Sequence, residues 1–167
     1  MKKMMTILLI IALGFVFPYK YSSDRVVNFA ERHANEKSRC MCALYTMRAL
    51  HHGGCYPCGI YPAYAYEKVL PRLGFVEVSH PKKGDIAVLS NNSRHPYGHI
   101  AVYDGKRWIS DYKQQRVYPN TVYEKESTVK YYRQTDGWHT ANIWVSPIDL
   151  WEYIQVLCNN YRKIKLL

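Results

Sequence analysis

Apolar positions along the chain change period near its middle, and the change separates a helical half from a strand-rich half. In Arg25–Ala34 the apolar residues Val26, Val27, Phe29, Ala30 and Ala34 follow the caps Ser22-Ser23-Asp24, which predicts a short helix. The polar connection Asn35–Arg39 leads to a second helix from about Cys42 to His52. It buries Ala43, Met47 and Leu50 at helical spacing and stops at Gly53-Gly54. Cys55–Pro62 reads as a loop, and Ala63–Leu73 as a third helix, bent or ended near Pro71 and closed by Gly74. Short apolar runs and alternation then take over. Phe75–Val78 and Asp85–Ser90 predict strands joined through the turn Pro81-Lys82-Lys83-Gly84, and Asn91–Tyr97 a polar loop. Gly98–Tyr103 and Arg107–Ser110 predict a hairpin across Asp104-Gly105. Val129–Arg133 and Asn142–Val145 are further expected strands. Ser146-Pro147 opens a final helix to about Tyr161 that buries Ile148, Trp151, Ile154 and Leu157 or Cys158. Helices packed on an antiparallel sheet make the expected class α+β.

The first segment has a pattern of its own. Met1-Lys2-Lys3 is a positive start, and Met4–Phe17 is almost unbroken apolar sequence. That length suits a signal core and falls short of the ~20 residues of a spanning helix. Residues 1–22 are therefore expected to be a signal peptide. A retained anchor, which would attach the protein to a membrane, is the alternative, and residues 23–167 are one domain. A clear small-x-small cleavage site is missing from Phe17–Ser23. The expected location is exported: periplasm, cell envelope or secreted.

Composition adds a bias rather than an identity. The chain of 167 residues is 48% hydrophobic, enough for a substantial core, and carries a formal net charge of +10. The charge favours an anionic partner such as an envelope polymer, but the basic residues are scattered. No Lys/Arg block of the kind that marks nucleic-acid arms is present, so nucleic acid is not an expected partner. Sixteen tyrosines and four tryptophans suit flat or sugar-like ligands, although strand propensity accounts for most of the tyrosines.

Chemistry enters with the cysteines Cys40, Cys42, Cys55, Cys58 and Cys158. Cys42 opens the second helix, where free N–H groups and the helix dipole lower a thiol's pKa. A histidine across a cleft would hold the thiolate as an ion pair and later protonate the leaving amine. His99 suits that task because it follows Gly98 in a rigid strand. The plainer alternative makes Cys42 a small buried residue and His99 an ordinary strand histidine.

Context sharpens the choice. Cys42-Ala43-Leu44-Tyr45, Ala49-Leu50 and Gly53-Gly54 resemble the nucleophile helix of CHAP-type cysteine amidases and their NlpC-like relatives. These are papain-like enzymes that cut the peptide part of bacterial peptidoglycan. Lys83-Gly84-Asp85-Ile86 and Gly98-His99-Ile100-Ala101-Val102-Tyr103-Asp104-Gly105 resemble them too. So do the tract Trp108–Gln114 and the strand ending Tyr131-Tyr132-Arg133, which are most similar to members among phage lysis proteins and type VI secretion amidase effectors. The resemblance runs from about Val26 to Arg133. It implies a peptidoglycan amidase or endopeptidase with Cys42 as nucleophile and His99 as base, no cofactor, and, for the effector members, an immunity or regulatory protein as partner. Cys40 competes for the nucleophile's place, but the family register fits Cys42.

The third catalytic residue stays open between alternatives. A two-residue turn at Asp104-Gly105 puts His99 opposite Ser110; a three-residue turn from Asp104 to Lys106 puts it opposite Asp111. A carboxylate stabilises an imidazolium better, so Asp111 is expected, with Ser110 in reserve. The glutamate and asparagine that many CHAP enzymes carry after the histidine are absent, which leaves triad or dyad undecided.

Two other readings of the cysteines compete with this one. Cys40, Cys42, Cys55 and Cys58 have the look of four zinc ligands, which would make the chain a zinc-stabilised binding module. The intervening helix, at ~1.5 Å per residue, separates Cys42 from Cys55 by about 15 Å, whereas sulfur ligands on one zinc lie about 4 Å apart. The expected arrangement is instead a Cys55–Cys58 disulfide and, by elimination, Cys40–Cys158. A non-catalytic wall-binding relative is the remaining alternative. The other histidines, His33, His51, His52, His80, His95 and His139, are expected to be exposed or structural; His95 borders the active strand, where a substrate contact is the alternative.

Overall fold

The computed structural model describes residues 15–55 and 59–143. Strand β1 (Phe15–Tyr21) is followed by helices α1 (Ser23–His33) and α2 (Cys42–His52), a single 3-10 turn (Ala63–Ala65) and helix α3 (Tyr66–Arg72). Then come β2 (Val76–Val78), β3 (Ile86–Leu89), β4 (His99–Tyr103), β5 (Trp108–Ile109), β6 (Lys113–Gln114), α4 (Thr121–Glu126), β7 (Val129–Arg133) and β8 (Gly137–Ile143). The six-stranded sheet runs β2-β7-β3-β4-β5-β6, and β1 pairs with β8 in a separate ribbon. All of these strand pairs are antiparallel, so the α+β expectation holds.

The period-two pattern of β3 and β4 explains how the helices and sheet share one core. Ile86, Val88, Ile100 and Val102 point to one face and join Val26, Val27, Ala30, Met47, Ala49 and Leu50 of α1 and α2. Ala87, Leu89 and Ala101 point to the other face and meet Trp108 and Tyr123. Because both faces are covered, the strands read as apolar runs instead of alternating. α1 and α2 approach closely at Gly53, where an added Cβ would lie 2.3 Å from the Val26 side chain. The Ser22 N–H also donates to the Gly53 carbonyl at 2.9 Å.

Two of the sequence motifs meet in an ion pair. Arg133 donates through Nε and Nη2 to the buried Asp85 carboxylate at 2.9 and 2.6 Å, and the Lys82 N–H adds a third bond at 2.6 Å. This pins β7 to the turn before β3, so the Asp of Lys83-Gly84-Asp85-Ile86 and the Arg after Tyr131-Tyr132 are joined by structure.

Several boundaries differ from expectation. Phe15–Tyr21, inside the segment expected to be exported, forms β1, with Tyr19 and Tyr21 buried in the core. The last described strand starts at Gly137 instead of Asn142. The expected final helix, Cys58 and Cys158 lie outside the described residues, as does the apolar run up to residue 14. Among the described residues no helix is long and apolar enough to cross a membrane.

The expected disulfides are also corrected. Cys40 is an exposed free thiol, and Cys55 is a free thiol that points into the core. Burial pushes the Cys55 thiol up to about 12, partly offset by a hydrogen bond with Tyr19.

Candidate active site

Cys42 is the first residue of α2, and the position before it, Met41, makes no side-chain capping bond. The first-turn N–H groups are therefore left to the thiol and to whatever binds against it. The Ile100 and Ala43 N–H groups lie within hydrogen-bonding reach of the Cys42 sulfur and lower its pKa. Ile100 follows His99 directly, so the packing of α2 on β4 brings the nucleophile candidate to the histidine strand.

His99 begins β4 and is buried. Gly98 sets its entry angle with a φ of +67°, and a Cβ there would lie 2.4 Å from the Leu89 carbonyl. The Tyr123 hydroxyl donates to the Gly98 carbonyl at 2.9 Å, and its ring tilts against His99 at 5.7 Å. Tyr123 is held in turn by the cap Asn120, whose Oδ1 accepts from the Val122 and Tyr123 N–H groups. His95 stacks on Tyr123 at 4.5 Å and 13°, and its charge lowers the His99 pKa.

The residue bonded to His99 is Gln114, which the sequence pattern does not single out. Their Nε2 atoms are 3.1 Å apart, with the amide N–H donating to the ring. The other end, Gln114 Oε1, is buried and has no hydrogen-bond partner among the described residues. The only sequence signal is that Gln114 closes the tract Trp108–Gln114. Its position depends on a return that sequence does not reveal: β6 doubles back on β5 with Trp108 opposite Gln114.

Neither expected hairpin register occurs. Tyr103 pairs with Trp108 and Val102 with Ile109, so the turn is one residue further along than the two-residue option. Asp104 is the cause: its Oδ1 accepts from the Lys106 and Arg107 N–H groups at 2.7 and 2.6 Å. That local turn moves the reversal onto Gly105-Lys106, where Gly105 has a φ of +100°. Pairing then ends at Ile109, and neither Ser110 nor Asp111 lies opposite His99.

Asp111 instead holds the segment ahead of Cys42. Its Oδ2 accepts from the Arg39 N–H at 2.5 Å, the Met41 N–H at 3.3 Å and Ser38 Oγ at 3.3 Å. Ser110 Oγ donates to Oδ1 at 3.1 Å. The Asp111 carbonyl accepts from Asn35 N–H and Nδ2 at 2.8 and 2.7 Å. Its charge also reaches Cys42 and His99, raising the pKa of each.

The electrostatics differ from the expected ion pair. Burial pushes the Cys42 thiol up to about 11 and outweighs its backbone hydrogen bonds. Burial likewise pulls His99 down to about 4, against the opposing effects of Asp111 and Gln114. Desolvation outweighs the backbone hydrogen bonds at Cys42 and the favourable contacts at His99, so burial disfavours the charged form of each.

Cys40 sits beside the site in the left-handed region at φ 56°. Cys55 lies in the core beyond α2, a separation that argues against a zinc site shared with Cys42. Among the described residues no group of three or more His, Cys, Asp or Glu is arranged to hold a metal.

No family profile and no curated protein matches the chain significantly. Among solved structures, it is similar to a chain of the type VI native effector–immunity complex Tae3–Tai3 from Ralstonia pickettii. The identity is 35% over 69% of this chain and 100% of that one, with a TM-score of 0.65. The selenomethionine form of the same complex gives 35% identity over 65% and 98% of the two chains and a TM-score of 0.62.

Proposed function

This chain belongs to the family of type VI effectors that includes Tae3 of Ralstonia pickettii, and from that premise we propose that it hydrolyses an amide bond in the peptide part of peptidoglycan. We assign it to the CHAP/NlpC-like branch of the papain-like cysteine amidases. The observation that carries the reading is the Cys42 sulfur at the head of α2, against the amide of the residue that follows His99.

Both groups begin neutral, so the reaction starts with proton transfer. His99 takes the thiol proton as Cys42 Sγ attacks the substrate carbonyl, forming the C–S bond. Oxyanion charge is held by N–H groups of the first turn of α2. His99 then protonates the leaving amine as the C–N bond breaks. Water, activated by the same histidine, hydrolyses the thioester to a carboxylate and restores the thiol.

Gln114 serves this cycle with its carbonyl end. Turned over about its amide, Oε1 accepts from His99 Nε2–H, which leaves Nδ1 free to take the thiol proton and satisfies the imidazolium that forms. Asp111 contributes negative charge near that imidazolium and fixes the chain before Cys42, so it acts on nucleophile and base at once.

Action on the wall implies work outside the cytoplasm, with export or anchoring through the N-terminal segment as the expected route. An immunity protein is the expected partner, because the similar effector was crystallised with one. Mass spectrometry of muropeptides tests the reading. Wild type is expected to convert sacculi to new amine-terminated fragments, while Cys42→Ala and His99→Ala lose at least about 10³ in rate. Sacculi left intact by wild type under reducing and non-reducing conditions would remove the enzymatic reading.

A further inference from the structure

Five large hydrophobic side chains stand out from the surface among the described residues, and three adjoin the site: Met41 (40% exposed), Tyr64 (36%) and Tyr97 (49%). Met41 precedes the nucleophile, and Tyr97 lies two residues before His99. Tyr64 reaches the same place from the 3-10 turn. Its N–H donates to the Tyr97 carbonyl at 3.1 Å, and its Cβ lies 3.2 Å from where a Gly98 Cβ would be.

Two tyrosine side chains thus leave the backbone at one point, immediately ahead of His99. That point is rigid, since the Gly98 carbonyl is also held by the Tyr123 hydroxyl. Exposed aromatics on a braced backbone lose little entropy when a ligand covers them.

The neighbouring polar groups indicate what that ligand is. In the loop before Gly98, Ser93 donates to the Glu126 carboxylate through N–H and Oγ, and Arg94 lies close enough to Glu126 to lower its pKa. Arg94 thus lies in the field of that carboxylate and His95 stacks on Tyr123, and the large exposed side chains next to His99 are neutral rings with hydroxyl tips. Such a surface suits an uncharged pyranose, with an apolar C–H face and a polar rim, better than the carboxylate-bearing residues of a stem peptide.

We propose that Tyr64 and Tyr97 form a glycan subsite that holds an N-acetylhexosamine ring of the substrate beside the bond to be cut. This rests on the peptidoglycan reading above, and it assigns the sugar strand, not only the peptide, a place on the enzyme.

A ligand without peptide separates the two. Full-length Cys42→Ala protein is titrated with the N-acetylglucosamine tetramer by calorimetry, and muropeptide hydrolysis is followed in the Cys42 background. The tetramer is expected to bind, the Tyr64→Ala/Tyr97→Ala pair to weaken it by about tenfold or more, and Tyr64→Phe/Tyr97→Phe to retain it. For muropeptides the alanine pair is expected to raise KM about tenfold with kcat within about twofold. Absence of tetramer binding, binding that survives in the alanine pair, or a fall in kcat at constant KM would each overturn the glycan subsite. Wild type that binds the tetramer but cuts no muropeptide would leave the subsite standing and remove the hydrolase reading alone.

Discussion

The contact between Gln114 and His99 is the one on which the proposed proton transfer depends. Because burial holds His99 near 4, it remains a neutral base well into the acid range, and kcat/KM is expected to fall only as pH drops toward about 4. Gln114→Leu removes the Nε2 partner that raises the imidazole pKa and is expected to lower kcat by about 10- to 100-fold, with the acid limb moved to lower pH. Gln114→Glu puts a carboxylate there, raises the imidazole pKa and is expected to shift the acid limb to higher pH. A pH profile of the three enzymes on one muropeptide checks this; coincident acid limbs for wild type and Gln114→Glu would sever the two residues. The same group affects folding. Its pKa falls from 6.5 unfolded to about 4 folded, so the unfolded chain binds a proton that the native one refuses. Its contribution is therefore complete above pH 6.5 and is lost as pH falls toward 4, by about 3 kcal/mol. Urea titrations at pH 7 and pH 4.5 should show this loss in wild type and a smaller one in His99→Gln.

At the scale of elements, Asp111 links two pieces that sequence separates by seventy residues. Its carboxylate accepts two backbone N–H groups and two hydroxyls and thereby sets the chain that enters α2. Asp111→Ala leaves those donors unmatched in a partly buried place and is expected to cost about 2–4 kcal/mol of stability. Asp111→Asn keeps one acceptor oxygen and is expected to cost less, with kcat reduced more than the stability loss implies because the charge near His99 is gone. Thermal melts beside turnover numbers separate the two effects. The helices are legible in the sequence: spacing and two glycines predict Cys42–His52, and α2 has those bounds. The strands β3, β4 and β7 are legible for the same reason, since apolar runs between turn residues have few alternatives. The hairpin register is not legible, because a side chain, Asp104, overrides the Asp-Gly turn rule by capping the next two amides. That one-residue shift also hides Gln114, whose meeting with His99 depends on where β5 stops and β6 returns.

At the scale of the whole molecule, the first and last described strands pair with each other, and there the export reading meets the fold. Residues 1–22 read as one signal peptide or anchor, yet Tyr19 and Tyr21 alternate with exposed Pro18 and Lys20, the period of a strand. β1 pairs with β8 along its full length, from Phe15 opposite Ile143 to Tyr21 opposite Gly137. Pro18 is tolerated because a two-stranded ribbon has a free edge on each strand. Tyr19 joins the Leu73 carbonyl and the Gln134 amide in a buried polar knot, and Tyr21 packs edge-on against Phe75 at 5.4 Å. Removing two buried tyrosines costs roughly 3–5 kcal/mol each, comparable with the whole ~5–15 kcal/mol stability of an ordinary domain. A chain beginning at Ser23 is therefore expected to lose its cooperative thermal transition, whereas one beginning at Phe15 keeps it. If the apolar segment is cut off during export, the cut that leaves a working domain falls before β1. Equal melting temperatures for the two truncated chains would return the boundary to residue 22, and N-terminal mass spectrometry of protein recovered from the envelope would locate it in the cell.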